Sequence, residues 1–431
     1  MLSRFAQEAN ACSAAPVARI TFSAGEAAAE NAPYFQAMGI QTKTDRRTAA
    51  DLSKAQLLGA FRTMLLSRRL DDKEIQLKRQ NKIFFQISSA GHEAVTTAAG
   101  MLCKPGHDWF YLYYRDRAIC LQLGETAAEM LYSAVGASKD PNSGGRQMPS
   151  HWGHKKLNIV SVSSPTGTQF LQAVGSAEAI AKADVLGIEH GFEKDEVVLV
   201  TAGEGQTSEG EFFESLNTAT NLKLPVVYLV EDNGYAISVP KEVGIAGGSV
   251  SKLVSGFPGL FIQEVDGCDF SKSYDAMRAA IEHARQRKGP ALVHANVIRP
   301  YSHSLSDDEV FYRPTEERDA EALRDPITVF PRWLVDNGHA TKADIDRIQK
   351  EVDEVVQAAT DDALSQPQPS ADSVYVNVYS PDVDPTSENF DTEDDPQFSG
   401  NETTMVDLLN AAMKDEMRRN PKMLIFGQDV A

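Results

Sequence analysis

Apolar residues at helical spacing open the part of the chain where we expect order to begin, near Asp51. The recurring apolar positions are Leu57, Leu58, Phe61, Met64 and Leu65. Ser53 and Gln56 stand in the spacing of a capping box, which places a helix start at this point. The pattern predicts one amphipathic helix, or two in succession, over residues 53–80.

Further helical patterns follow along the first half of the chain. Two of them, between Gly91 and Val135, flank the segment WFYLYYRDR. Residues 167–187 are rich in glycine and alanine. Because small side chains let a helix pack closely against its neighbours, this stretch predicts the central helix of a sheet-covered domain.

Short apolar runs then alternate with helical patterns. The runs that predict strands are 196–201, 225–231, 261–265 and 291–298. The helical patterns between and after them are 209–222, 271–287, 316–336 and 342–365. Alternation of this kind predicts an α/β fold, a doubly wound parallel sheet with helices on both faces.

The composition divides the chain into four segments. We expect an extended or disordered lead-in over 1–50 and a folded domain over 51–365. Residues 366–403 carry prolines and acids with few large apolar residues, which is typical of a linker. Residues 404–431 read as a helix and a strand, MLIF, which together cannot bury their apolar faces. They predict the truncated start of a second α/β domain; the alternative is a terminal helix and strand that pack back on the first domain.

The net charge of −19 is concentrated in one region. Between Glu351 and Met413 there are 15 acidic residues and no lysine or arginine. Without clustered basic residues, nucleic acid and anionic membrane surfaces are not expected as partners. No apolar run reaches the length of a membrane span. The four cysteines form no C-x-x-C pair and predict buried thiols in a reducing compartment, so we expect a cytoplasmic protein.

Candidate chemistry is concentrated in residues 203–235, where Gly-Glu-Gly follows one predicted strand and Asp-Asn-Gly-Tyr follows the next. The carboxyl ends of neighbouring parallel strands meet at one edge of a sheet, so Glu204 and Asn233 are expected to lie close together. A carboxylate and an amide oxygen suit magnesium, which keeps positions open for phosphate oxygens. The alternatives are a dinucleotide fingerprint, in which Ser208 stands where a third glycine is needed, and a loop whose glycines merely turn the chain.

With its GEG and DNGY elements, this stretch resembles the thiamine diphosphate motif. The sequence over about 53–330 is similar to the α part of the thiamine-dependent first component of 2-oxo acid dehydrogenase complexes, most strongly to the branched-chain enzyme. The resemblance implies thiamine diphosphate held through magnesium. The residues it assigns to this motif are Gly203, Glu204, Gly205, Asn233 and the carbonyl of Tyr235.

The segment YYRDR carries a second part of the resemblance. Tyr114 and Arg115 match the pair that holds the cofactor diphosphate in the family. A guanidinium offers a fixed fork of donors suited to phosphate oxygens. The alternative is a surface ion pair of Arg115 with Asp116 or a neighbouring acid, the usual state of an exposed arginine.

The segment VSSPTGTQ at 162–169 resembles a loop that binds potassium and the cofactor. The potassium ligands it implies are Ser163, Thr168, Gln169 and the carbonyl of Pro165, and the thiamine contacts are Ser164 and Thr166. The alternative is that these oxygens cap the following helix. Thr166 departs from the bulky apolar residue that is common at this position in the branched-chain enzymes.

The segment YSHSLSDD at 301–308 matches the loop that carries the active-site histidine of the α part. The resemblance assigns this catalytic role to His303, which would contact the diphosphate region, and a histidine with a pKa near neutrality can move protons there. The loop GRQMPSHWG also resembles the branched-chain pattern, but we assign no catalytic role to His151. Glu231 stands where branched-chain relatives often have an arginine, and this position therefore does not decide between substrates.

The resemblance implies oxidative decarboxylation of branched-chain 2-oxo acids with transfer of the acyl group to a lipoyl-bearing acyltransferase. In the family a β part, fused or separate, completes the active site, so a homo- or hetero-oligomer is expected. The alternatives are the α part of a pyruvate or acetoin dehydrogenase, and a non-catalytic assembly subunit that keeps the thiamine fold.

Overall fold

A five-stranded parallel sheet forms the centre of the protein. The computed structural model describes residues 49–187, 191–193, 195–376, 378–380, 382–384, 386–388 and 402–425. The strands of the sheet, in spatial order, are β1 (Trp109–Tyr111), β2 (Val198–Gly203), β3 (Val226–Asp232), β7 (Ala291–Asn296) and β6 (Phe261–Asp266). A two-stranded antiparallel ribbon of β4 (Tyr235–Ala236) and β5 (Val239–Pro240) follows β3 directly.

Helices cover both faces of the sheet. Those before β2 are α1 (Lys54–Arg79), α2 (Glu93–Leu102), α3 (Arg117–Leu123), α4 (Ala127–Val135) and α5 (Gln169–Lys182). Those between β2 and β7 are α6 (Gly210–Leu222), α7 (Lys241–Gly244), α8 (Val250–Leu253) and α9 (Phe270–Arg285). Those after β7 are α10 (Thr315–Ala322), α11 (Pro326–Asp336), α12 (Lys342–Ser365) and α13 (Met405–Arg419).

Alternate residues of β2 and β3 face two different cores, which is why both strands are apolar throughout. Leu199 and Val227 belong to the core that includes α1, α2 and α9. Val198 and Tyr228 face the opposite way, into the core that α5 and α6 close. Each buried side chain of this size contributes about 1.5–3 kcal/mol of hydrophobic stabilisation. The predicted α/β fold with helices on both faces of a parallel sheet is confirmed.

The helix and strand boundaries agree with the sequence patterns within a few residues, apart from two places. The pattern over 316–336 is divided into α10 and α11, because Asp325 caps a new helix whose first residue is Pro326. The helix predicted over 167–187 is present as α5, but the prediction that it is a buried central helix is wrong. In α5, Phe170 and Ala173 are buried, but Leu171 is 40% exposed, so the helix covers the sheet with one face and leaves the other open.

The segment between α12 and α13 forms little regular structure. Its described part contains one 3₁₀ turn at Ala371–Tyr375, and Pro367 is tied back to the domain because its carbonyl accepts a hydrogen bond from Ser138 N at 2.9 Å. The predicted linker core at 389–401 and the lead-in at 1–48 lie outside the described residues.

The predicted C-terminal helix is present as α13, and none of its residues is buried. The apolar residues it exposes are Met405, Val406, Leu408, Leu409, Met413 and Met417. Among the described residues α13 therefore buries no side chain against the first domain, and the start of a second domain stays a prediction. The predicted strand MLIF is not formed over 423–425, because these residues have no neighbouring strand there to pair with; Phe426 lies outside the described residues.

Two expectations about the chain as a whole can be compared with the structure. Cys103, Cys120 and Cys268 are buried free thiols, as predicted, whereas Cys12 lies outside the described residues. Burial raises the pKa of all three thiols. Among the described helices, none has both the length and the apolar character that crossing a membrane requires.

Candidate cofactor and metal site

Four of the residues that the sequence singled out follow the carboxyl ends of strands in the parallel sheet. Arg115 comes shortly after β1, Glu204 directly after β2, Asn233 directly after β3, and His303 after β7. Because β1, β2, β3 and β7 are consecutive neighbours, these four side chains belong to one edge of the sheet. This is the edge where open α/β sheets bind ligands.

The two glycines of the GEG turn are required by close packing. A Cβ atom at Gly203 would lie 2.9 Å from the Tyr113 hydroxyl, and one at Gly205 would lie 2.6 Å from the Cβ of Ala236. The turn itself is a 3₁₀ segment, Glu204–Ser208, in which the side chain of Gln206 accepts a hydrogen bond from Gly203 N at 2.9 Å. The two glycines are thus required by these close contacts, and their role is not limited to turning the chain.

Glu204 and Asn233 are brought together as predicted. The carboxylate oxygen Oε2 of Glu204 accepts a hydrogen bond from Asn233 N at 3.2 Å. The other oxygen, Oε1, is buried without a hydrogen-bond partner among the described residues. Burial, together with the nearby charge of Asp232, raises the pKa of Glu204 to about 7. An acid held in this way leaves one oxygen directed to a ligand.

The loop that carries Asn233 is fixed by Asp232. One oxygen of Asp232 accepts from Gly234 N at 2.9 Å, and the other contacts Lys241 Nζ at 2.7 Å and His294 Nε2 at 2.8 Å. Gly234 has a φ of 85°, which favours glycine. The side-chain oxygen of Asn233 accepts from Tyr235 N at 3.2 Å. The three predicted magnesium ligands, Glu204, Asn233 and the carbonyl of Tyr235, therefore lie in one small, well-anchored region.

Arg115 is buried, with 1% of its surface exposed. Its guanidinium donates to Ser88 O, to His303 O at 3.2 Å and to the Tyr113 hydroxyl at 3.2 Å. Its own neighbour Asp116 instead accepts from Tyr113 N at 2.6 Å. The alternative of a surface ion pair with Asp116 is therefore wrong, and a buried cation that contacts only neutral groups is an evident site for an anion.

His303 joins Arg115, because Arg115 Nη2 donates to His303 Nδ1 at 3.2 Å. The ring of Tyr114 stands edge-on to the His303 ring, with centroids 6.0 Å apart. Burial and the charges of Arg115 and Arg299 lower the pKa of His303 to about 4. The expectation of a pKa near neutrality is wrong, because the ring is buried and lies near the charges of Arg115 and Arg299. A bound anion would oppose this lowering.

A buried pair beneath this site was missed by the sequence analysis. His92 Nδ1 lies 2.6 Å from Glu231 Oε2, and neither side chain has any exposed surface. Burial raises the pKa of Glu231 and lowers the pKa of His92, so an uncharged pair is favoured. An acid within an otherwise apolar strand was the available signal. Its partner, 139 residues away, could not be read from the chain.

The loop at 163–169 gathers most of the oxygens predicted to bind potassium. Ser163 Oγ and Thr168 Oγ1 are 2.8 Å apart, and Thr168 Oγ1 donates to the Pro165 carbonyl at 3.1 Å. The amide of Gln169 points to the sheet, where Nε2 donates to Thr201 O at 3.2 Å. Thr168 stands at the start of α5 but makes no capping hydrogen bond, so for this residue the capping alternative is wrong.

A small, partly open cleft lies between this loop and the end of β1. Its lining includes both predicted thiamine contacts, Ser164 and Thr166, together with Tyr113, Tyr114 and Gln206. His151 also lines it, and His151 Nε2 lies 2.8 Å from Ser164 Oγ. The contact between His151 and Ser164 was not expected from the sequence.

The donor set fits a diphosphate held through a divalent cation. The unpaired oxygen of Glu204 can ligate the cation, and the buried guanidinium of Arg115 can neutralise phosphate oxygens. The cleft lined by Ser164 and Thr166 provides hydroxyl groups for a polar ring. These residues meet the requirements that the sequence resemblance set for a thiamine diphosphate site.

Comparison with known proteins is consistent with this geometry. The family model described as dehydrogenase E1 component matches residues 61–372. The chain is 36% identical to the 2-oxoisovalerate dehydrogenase subunit alpha of Bacillus subtilis (strain 168), over 78% of this chain and 99% of that protein. It is 32% identical to the protein of the same name from Pseudomonas aeruginosa, over 76% of this chain and 79% of that protein. It is also 32% identical to the mitochondrial 2-oxoisovalerate dehydrogenase subunit alpha of Caenorhabditis elegans, over 68% of this chain and 66% of that protein. The chain therefore belongs to the dehydrogenase E1 component family, the thiamine-diphosphate-dependent enzyme components of 2-oxo acid dehydrogenases.

Proposed function

We propose that the chain is the α part of a first component that oxidatively decarboxylates branched-chain 2-oxo acids. The names of its relatives, 2-oxoisovalerate dehydrogenase subunit alpha, support this substrate class. A β part, fused or separate, completes the active site, and a lipoyl-bearing acyltransferase receives the acyl group.

Magnesium is held in this proposal by Glu204, Asn233 and the carbonyl of Tyr235. Glu204 supplies the carboxylate oxygen that has no partner within the protein. When bound, thiamine diphosphate supplies a thiazolium carbon that attacks the 2-oxo carbonyl and a cationic ring that accepts electrons as carbon dioxide leaves. The chain's own contribution is to place this group.

The diphosphate end is received by Arg115, Tyr114 and His303. Arg115 and His303 already contact each other, so an anion at this point meets a preorganised pair. His303 is neutral at physiological pH, because burial and the charges of Arg115 and Arg299 lower its pKa to about 4. It holds its remaining proton on Nε2, since Nδ1 accepts from Arg115, and that N–H is available to a phosphate oxygen or a substrate.

Potassium completes the proposed cation set at the loop 163–169. Thr168 Oγ1 lies within hydrogen-bond distance of both Ser163 Oγ and the Pro165 carbonyl, so these oxygens are close together. Gln169 joins as a ligand when its amide oxygen faces the same cluster. An alkali cation would hold this loop, and with it Ser164 and Thr166, against the cleft.

The observation that carries the proposal is the contact between Glu204 and Asn233 with an unpaired carboxylate oxygen beside it. Calorimetry of the chain with thiamine diphosphate and magnesium tests it, with a β part supplied. The wild type is expected to bind, and Glu204→Ala is expected to abolish the magnesium-dependent part of the affinity. Glu354→Ala, which changes an exposed acid on α12, is the control. Binding that Glu204→Ala leaves unchanged would remove the metal assignment.

The split active site has its own test. In the proposal the chain alone performs no appreciable oxidative decarboxylation, and adding a β part restores turnover, measured by dye reduction. Turnover by the isolated chain would refute the split site. Failure of every β part to restore turnover, with cofactor still bound, would favour the non-catalytic assembly subunit.

Pyruvate or acetoin remains the alternative substrate, and Glu231 does not decide between it and the branched-chain acids. This residue is fully buried and paired with His92. It therefore keeps an acid where many branched-chain relatives have an arginine. The kcat/KM values on 2-oxoisovalerate and pyruvate distinguish the two substrates. A higher value on pyruvate would overturn the branched-chain assignment.

We also propose a cytoplasmic location, since the three described cysteines are free and buried. Fractionation of cells followed by detection of the chain tests this.

A further inference from the structure

We propose that His151 is a positioning residue that fixes the hydroxyl of Ser164 as a hydrogen-bond acceptor for an N–H group of the bound cofactor. The inference deepens the proposed function and rests on it, because it concerns the same cleft. No role was assigned to His151 from the sequence.

The hydrogen bonds of His151 determine which ring nitrogen carries the proton. His151 Nδ1 lies 3.2 Å from the carbonyl oxygen of Pro149, which can only accept, so Nδ1 is the protonated nitrogen. In the neutral ring Nε2 is then an acceptor. The hydroxyl of Ser164, 2.8 Å from Nε2, must therefore donate its one proton to His151.

This arrangement decides what Ser164 can offer to a ligand. A hydroxyl has one proton and two acceptor sites, and its proton is committed to His151. Only the acceptor sites remain for the cleft that Ser164 and His151 both line. The matching ligand group is an N–H donor, and the amino group of an aminopyrimidine ring is of this kind.

The backbone at His151 is held in place by its surroundings. The His151 carbonyl accepts a hydrogen bond from the side-chain amide of Asn142. The next residue, Trp152, is buried, and its Nε1 donates to the Tyr113 carbonyl at 3.0 Å. Tyr113 also contacts Arg115 at 3.2 Å. Trp152 and Tyr113 thus connect His151 to Arg115, at the diphosphate end of the site.

Two conservative variants separate the two contacts of His151. His151→Asn places an amide nitrogen where Nδ1 stands and keeps the bond to Pro149, but it cannot reach Ser164. His151→Gln places an amide oxygen near Nε2 and keeps the acceptor for Ser164. If His151 acts only by holding its loop, His151→Asn should weaken cofactor binding less than His151→Gln. If His151 positions Ser164, His151→Gln should weaken cofactor binding less than His151→Asn.

The test is the dissociation constant of thiamine diphosphate in saturating magnesium, measured by calorimetry on the full chain with a β part supplied. His151→Asn is expected to weaken binding about 3- to 10-fold, the value of one net hydrogen bond, and His151→Gln less than about 2-fold. Ser164→Ala is expected to weaken binding by a similar factor. Adding His151→Asn to Ser164→Ala should cause no further loss, since both act through one contact. His107→Asn, which changes a histidine before β1 at the opposite edge of the sheet, is the control.

The possible failures are distinguishable. If the wild type binds no thiamine diphosphate, the proposed function fails, and this inference fails with it. If the wild type binds and His151→Asn binds equally tightly, or if the two losses add in the double variant, only the inference is overturned.

A second measurement does not depend on the cofactor. In the chain labelled with ¹⁵N-histidine, long-range proton–nitrogen correlations distinguish the two tautomers, and the signal lost in His151→Gln identifies His151. A pyrrole-type Nδ1 and a pyridine-type Nε2 support the inference. A proton on Nε2 of the neutral ring would overturn it.

Discussion

The two edges of the central sheet are both dense in charged residues, but they use them differently. At the amino edge, just before β1, Asp108 receives four hydrogen bonds: two from Arg285, at 2.9 and 2.8 Å, and one each from Lys104 N and Val197 N. At the carboxyl edge, polar atoms of Glu204, Arg299 and His92 are buried without partners among the described residues. Satisfied charges stabilise the scaffold, whereas unsatisfied ones indicate where a ligand binds.

The comparison holds even where the amino edge superficially resembles a metal site. His107, Glu193 and Asp195 lie close enough together to hold an ion. Asp195, however, is already in contact with Lys104 at 2.5 Å and with His107 at 2.9 Å. Glu196 Oε2 is an exception at this edge, as a buried oxygen without a partner among the described residues. A cluster of potential ligands is therefore weaker evidence than a single buried acid that keeps one oxygen without a partner among the described residues.

The largest expected effect is at the amino edge. Asp108→Asn replaces an acceptor-only group that four donors surround by one that must itself donate, so a buried ion pair is broken. A loss of about 3–5 kcal/mol in the free energy of unfolding is expected. Urea denaturation followed by circular dichroism measures it, and the affinity for thiamine diphosphate of the folded fraction should be unchanged. A stable Asp108→Asn protein would contradict the assignment of this edge to the scaffold.

The matched change at the carboxyl edge should have the opposite signature. Glu204→Gln has the same shape and can still accept from Asn233 N, but it removes a buried carboxylate that lacks a cationic partner. We expect no loss of stability and a decrease of about 100-fold or more in magnesium-dependent turnover with a β part, since a metal ion contributes several kcal/mol. Denaturation and dye-reduction assays on the same preparation measure both. If Glu204→Gln lost stability while it retained turnover, the two edges would not differ in the way described.

A third change tests whether the buried cation of the carboxyl edge acts by its shape. Arg115→Lys keeps the charge but loses the planar fork, so the affinity for thiamine diphosphate is expected to fall about 10-fold. Calorimetry in saturating magnesium measures it. Arg285→Lys is the matched control at the amino edge, where the same substitution should lower the melting temperature and leave the affinity unchanged. Equal affinities of Arg115→Lys and the wild type would argue against a diphosphate at this position.

Much of the carboxyl edge could be predicted from the sequence, because the placement of its residues depends on the order of strands and helices along the chain. Apolar runs alternating with helical patterns place Glu204 and Asn233 after neighbouring parallel strands, and the structure has them there. The pairs that depend on packing could not be predicted in this way. The segment around Arg115 gives no local signal that its guanidinium is buried, and Glu231 meets His92 only because α2 lies under the sheet edge. The lowered pKa of His303 has the same origin, since it depends first on burial of the ring and then on the charges of Arg115, from a distant segment, and of Arg299.

The smallest effect concerns a buried acid that belongs to neither edge. Glu125 lies between α3 and α4, is 6% exposed and has an oxygen, Oε2, without a partner among the described residues. Burial, with the charges of Glu129 and Asp140, raises its pKa to about 8. The folded state therefore holds a proton that the unfolded state releases near pH 4.5. The stability associated with this group is complete below that pH and decreases as the pH rises towards 8.

Glu125→Gln removes this titration and keeps the shape of the side chain. The free energy of unfolding of the variant, relative to the wild type, is expected to increase by about 1 kcal/mol between pH 6 and pH 7. Urea denaturation at the two pH values measures the difference, and titrations common to both proteins cancel in it. Parallel pH dependences would mean that Glu125 ionises normally, for example by contact with water. An unpaired buried acid would then not by itself lower the free energy of unfolding of this fold. The assignment of Glu204 to a ligand would in that case depend only on its position near Arg115.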